Sequence, residues 1–130
     1  MMKQVEIQGS HIFDIASFYE EINRVFMQQE DWKLGQTLDG FNDLLYGGFG
    51  LLNPSEEISL IWKDIQSSKA ALGLETTRKY YLGKLAPKSP FNKNHFKAAL
   101  QQLEAGQGKT YFDLIIEIIE AHPNIHLTTA

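Results

Sequence analysis

Polar and apolar residues alternate over Lys3, Gln4, Val5, Glu6, Ile7 and Gln8, and Gly9 closes the run, which predicts a first strand. Ile15, Phe18, Tyr19, Ile22, Val25 and Phe26 then recur at three- and four-residue spacing. That spacing predicts a helix with one apolar face, opened by Asp14 as a cap and running to about Gln28. Residues 29–37 have no period and contain Gly35, so they read as a loop. A short second helix begins near Leu38, with Thr37 as its N-cap and Asp39 in its first turn, at the positive end of the helix dipole. It stops where Gly47, Gly48 and Gly50 cluster, since glycine continues a helix only at a cost of about 1 kcal/mol per residue.

Residues 57–63 are β-rich and apolar at their centre (Ile58, Leu60, Ile61, Trp62), the signature of an interior strand. From Ser67 to about Leu85 the apolar positions Ala70, Ala71, Leu74, Tyr80 and Tyr81 fit a helix, with a break possible at Gly73. Pro87 to Asn92 reads as a loop. A further helix is predicted over Lys93–Glu104, with Phe96, Ala99, Leu100 and Leu103 inward. The last helix carries Phe112, Leu114, Ile115, Ile116, Ile118 and Ile119. It is apolar around most of its circumference and so should be largely buried. His122, Pro123 and Asn124 turn the chain into a final strand, Ile125–Thr129. Strands separated by helical crossovers pair in parallel with right-handed connections. The expected fold is α/β, a three-stranded parallel sheet packed with helices in the order β-α-α-β-α(-α)-α-β.

Composition narrows this picture. The chain has 130 residues, 43% hydrophobic and 22% charged, which suits one globular domain over 1–130 with a sizeable core. No apolar run approaches the roughly 20 residues that span a bilayer, and the start, MMKQVEIQGS, lacks a signal-peptide core. Cysteine is absent, which excludes disulfides, a thiolate nucleophile and Cys-ligated zinc. Together these features lead us to expect a cytoplasmic protein without a membrane partner. Between Glu75 and Lys109, seven Lys or Arg face only two acids, a net +5; with −4 overall, the remainder carries −9. An acidic remainder suits a cationic protein partner and repels nucleic acid.

Candidate chemistry is sparse. Asp39 and Asp43 lie four residues apart on one helical face, but general acid–base work also needs a pocket and a shifted pKa. A solvated face or a binding face fits the pair better than a catalytic one, and no catalytic residue is assigned. His11, His95, His122 and His126 form no metal-ligand spacing, and no metal is expected. The glycines at 47–50 follow a helix instead of preceding one, so they do not cradle a phosphate, and no cofactor is implied. Trp62 belongs to the core; Trp32, in the polar loop, is a loop anchor or an interface aromatic.

The segment Gly35-Gln36-Thr37-Leu38-Asp39-Gly40-Phe41-Asn42-Asp43-Leu44-Leu45 resembles the signature of the barstar family, a glycine separated by two residues from L-D-x-[aromatic/apolar]-x-D-x-L. The preceding strand, glycine and amphipathic helix, the strand at Ile58 to Trp62 and the closing helix and strand correspond as well. The likeness covers most of 3–72 and 110–129. Residues from about 75 to 108, the basic segment, form an insertion. Barstar-family proteins inhibit small extracellular ribonucleases such as barnase, inserting the second helix and its preceding loop into the nuclease site. The resemblance therefore implies a non-enzymatic, immunity-type inhibitor of a cationic extracellular ribonuclease or related toxin. Gly35, Thr37, Leu38, Asp39, Asn42 and Asp43 fall on the inhibitory segment, Trp32 on the loop before it, and Glu117 (or Glu120, one turn along) on a further interface acid. Asn42 and Lys33 stand where the archetype has tryptophan and tyrosine, which points to a cognate partner other than barnase. A non-inhibitory interaction module that binds its partner through the basic insertion is the alternative.

Overall fold

The computed structural model describes residues 2–86 and 93–130. The loop read over Pro87 to Asn92 therefore lies outside the described residues. Strands β1 (Lys3–Gln8), β2 (Ile58–Lys63) and β3 (Ile125–Thr129) form one sheet in the order β1-β2-β3. Both pairings are parallel, with Val5 opposite Leu60 and Leu60 opposite Leu127. The alternation of β1 buries Val5 and Ile7, while β2, paired on both sides, buries Ile58, Leu60 and Trp62.

A short 3-10 turn (Gly9–His11) follows β1, and the described residues hold six α-helices: α1 (Ile15–Phe26), α2 (Leu38–Tyr46), α3 (Ile65–Ala71), α4 (Leu74–Lys84), α5 (Lys93–Glu104) and α6 (Tyr111–Glu120). The expected α/β order is present. Asp14 caps α1 in a capping box with Ser17. The predicted break at Gly73 is real, and it separates α3 from α4. The chain enters α3 two residues earlier than the period suggested, because Asp64 adopts a left-handed conformation (φ 52°) directly after β2. Ser68 accepts a hydrogen bond from the Trp62 indole at 2.9 Å and donates to the Gly9 carbonyl at 3.3 Å, closing this corner over the sheet. Gly9 is required there, since a Cβ would lie 2.3 Å from the Lys63 carbonyl oxygen.

The core joins α1 (Phe18, Tyr19, Ile22, Phe26), α2 (Phe41, Leu44, Leu45), the sheet, and α6 (Tyr111, Phe112, Ile115, Ile119). Tyr19 and Tyr111, 92 residues apart, share a buried hydroxyl–hydroxyl hydrogen bond of 2.6 Å. Burial pushes both phenols up, Tyr111 to about 12. Two expectations need correction. Leu114, Ile116 and Ile118 on α6 are only half-buried: Leu114 and Ile118 border surface grooves, and Ile116 packs at the margin of the core. Leu74 is 57% exposed and Ala70 is exposed as well, so the apolar face of this region is narrower than its sequence suggested.

The basic segment is knitted to α6. Thr77 accepts from the Tyr111 backbone N–H at 2.7 Å, and the Phe112 N–H donates to the Leu72 carbonyl at 3.1 Å. Tyr80 packs edge-on to Tyr111 at 5.1 Å, and Arg78 pairs with Glu104 between α4 and α5 at 3.0 Å.

Candidate functional site

Helix α2 is held at both ends by local chemistry. The Thr37 hydroxyl accepts from the Gly40 N–H at 3.0 Å, and Gly47 ends the helix at φ 86°. A Cβ on Gly47 would lie 2.1 Å from the Asn53 carbonyl oxygen, so the position needs glycine on two counts. Phe41, Leu44 and Leu45 anchor the inward face. The 3.6-residue period then turns Asp39 and Asp43 outward, and both are exposed.

The packing of α2 beside α6 turns that acidic face into a groove of about 320 Å³. Leu38, Asp39 and Asn42 line it from α2, and Leu114, Glu117 and Ile118 from α6. Asp39, Asn42 and Glu117, 78 residues apart at the extremes, thus meet at one surface. Glu117 pairs with Lys109 at 2.6 Å, a contact that raises the Lys109 pKa. Asp43 is exposed on α2 and does not line the groove. A second groove, about 550 Å³, shares Leu38, Asp39 and Leu114 with the first and is walled by Tyr80, Tyr81 and Phe96 of the basic segment. Asp39 is therefore the rim between the two.

Gly35 is exposed, with open space where a Cβ would stand. Trp32 is 43% exposed and tilts against Phe49 at 5.0 Å, while its indole donates to Glu30 at 3.1 Å. It lines, with Lys33 and Arg24, a separate hollow of about 420 Å³. The structure does not bring it to the α2–α6 groove. Glu120 is exposed and lines neither groove that Asp39 borders.

Sequence reasoning missed His122. It is 4% exposed at the end of α6, its ring Nε2 lies 2.7 Å from Asn42 Oδ1, and the Tyr46 ring meets it edge-on at 4.6 Å. Burial lowers its pKa, which favours the neutral ring. The contact joins residues 80 apart and left no local signal.

The side chains gathered here suit recognition more than catalysis. Carboxylates on a well-capped helix, beside a shallow groove, offer fixed negative charge to a cationic surface. Among the described residues, no helix is long and apolar enough to cross a membrane, and no three His, Asp or Glu side chains converge as a metal set would require. A family model described as Barstar (barnase inhibitor) matches residues 2–80, from β1 through α2 and β2 into α4. No curated protein and no solved structure matches the chain.

Proposed function

The chain belongs to the barstar family, whose members inhibit ribonucleases of the barnase type, and on that premise we propose that it is itself an immunity-type inhibitor. It acts without catalysis, by seating the loop before α2 and the acidic face of α2 in the active site of a cationic extracellular ribonuclease or related toxin. One observation carries this reading. The matched segment is a helix capped by Thr37 that presents Asp39 and Asp43 to solvent, with Glu117 beside Asp39 in one groove. A ribonuclease binds substrate phosphates with cationic groups, and carboxylates at this spacing can make charge-assisted hydrogen bonds to those groups. The inhibitor works inside the cell that makes the nuclease.

The test is inhibition of barnase, and of ribonuclease activity in the host's own culture medium, by the intact chain. Asp43→Ala should weaken inhibition by about 30-fold or more, the loss that truncating a central interfacial anchor brings (at least about 2 kcal/mol). Inhibition unchanged by Asp39→Ala and Asp43→Ala together rejects the reading. The groove walled by Tyr80, Tyr81 and Phe96 favours a second one, a non-inhibitory module that engages its partner through the basic segment. That module would keep its partner in the double variant.

A further inference from the structure

The α2–α6 groove is rich in acceptors and poor in donors. Of the side chains that line it (Leu38, Asp39, Asn42, Leu114, Glu117, Ile118 and Ala121), only Asn42 carries an N–H. Its amide is not free to turn. Oδ1 can only accept, so the 2.7 Å contact requires His122 Nε2 to carry the proton and donate it. The backbone fixes His122 in turn, since its N–H donates to the Ile119 carbonyl at 3.1 Å and its carbonyl accepts from Ile125 at 3.0 Å. The Tyr46 ring covers one side of the imidazole.

The other half of the amide is unspent. Asn42 Nδ2 has no acceptor among the described residues, yet no buried side-chain nitrogen or oxygen among them lacks a partner. Nδ2 therefore reaches solvent, and Asn42 is one of the residues that line the groove.

We infer that Asn42 is a specificity-determining residue of this face, donating from Nδ2 to a neutral oxygen, a main-chain carbonyl of the protein partner, and that His122 is the positioning residue that turns the amide so. The inference rests on the inhibitor reading above and deepens it. The two carboxylates take up the partner's cationic groups but must leave any carbonyl between those groups unpaired, and an unpaired buried acceptor costs more than a hydrogen bond returns. Asn42 is the groove's answer to that acceptor.

Two measurements separate the parts. Nitrogen-15 NMR of the intact protein reads the His122 tautomer with no partner present. The expected result is the Nε2–H form, and an Nδ1–H ring overturns the positioning role. Affinity is then measured against the ribonuclease that the intact chain inhibits, barnase first. Asn42→Asp keeps an oxygen for His122 but removes the donor, and it should weaken binding about tenfold with little change in melting temperature. Binding as tight as the original, or tighter, would show that the partner offers a cation here and would overturn the donor role. His122→Phe should weaken binding severalfold through Asn42 only, so its effect should vanish in an Asn42→Ala background. Additive effects reject the coupling. If the intact chain inhibits no ribonuclease, the inhibitor reading fails, while the NMR result still decides whether His122 sets the amide.

Discussion

Glu21 is a buried carboxylate held by four hydrogen bonds. Its carboxylate, 1% exposed, accepts from the Gln8 N–H at 2.7 Å, from His11 Nδ1 at 3.0 Å, and from both Nε and Nη2 of Arg24 at 2.8 and 2.7 Å. Burial pushes its pKa up, but these donors outweigh burial and hold it at about 2, against an ordinary 4.5. The group joins the end of β1 to α1, so its ionisation is a property of the fold. A carboxyl depressed in the folded state adds stability above its unfolded pKa and loses it as pH falls through the folded one. Urea unfolding should therefore show stability draining away between pH 4.5 and about 2. In Glu21→Gln that slope should become clearly shallower, and the variant should be about 2 kcal/mol less stable at pH 7. His122 contributes a separate loss that begins as pH falls through 6.5, because burial depresses its pKa. An unchanged acid slope in Glu21→Gln would place the titrating group elsewhere.

At the scale of elements, α2 matters most, and its two ends have unequal weight. Thr37→Ala removes one cap hydrogen bond and should cost about 1 kcal/mol, read as a lower thermal midpoint. Gly47→Ala should cost more. It forces an L side chain to a φ of 86° and drives a Cβ against the Asn53–Pro54 backbone. Equal losses for the two variants would contradict that geometry. Both ends of α2 were legible because the signals are local: a hydroxyl just before an apolar period, and a glycine cluster just after it. The strands, the Gly73 break and the bounds of α5 were legible for the same reason. What depends on distant neighbours was not. The apolar circumference of α6 could not reveal that Leu114 and Ile118 border grooves, since their cover depends on where α2 and α4 pack. Sequence placed Asp39 and Asn42 on α2 and Glu117 on α6, but only the packing of those helices makes them one surface. The Tyr19–Tyr111 and Asn42–His122 pairs, 92 and 80 residues apart, had no spacing to announce them. Trp32 left two readings open in the sequence, and its packing on Phe49 favours the loop anchor.

Across the whole molecule, charge is divided by segment: +5 over 75–109 and −9 elsewhere. The acidic face and the basic helices nevertheless adjoin, because Asp39 lines the groove that Tyr80, Tyr81 and Lys84 wall. An approaching cationic protein thus meets attraction at α2 and repulsion from α4 and α5 within one footprint. That arrangement restricts orientation more than it raises affinity. Lys109 is the sharpest instance, because its ammonium sits 2.6 Å from Glu117 and neutralises the acid that α6 adds to the groove. A cationic partner must displace Lys109 or forgo Glu117. Lys109→Ala should therefore leave the melting temperature nearly unchanged, since the pair is exposed, yet speed association with the inhibited ribonuclease severalfold at low salt. The gain should shrink as ionic strength rises and the screening length falls below about 8 Å. Stopped-flow association at several salt concentrations reads both effects. Rates that match the original chain at every salt concentration would remove Glu117 from the contact surface and leave the acidic face to α2.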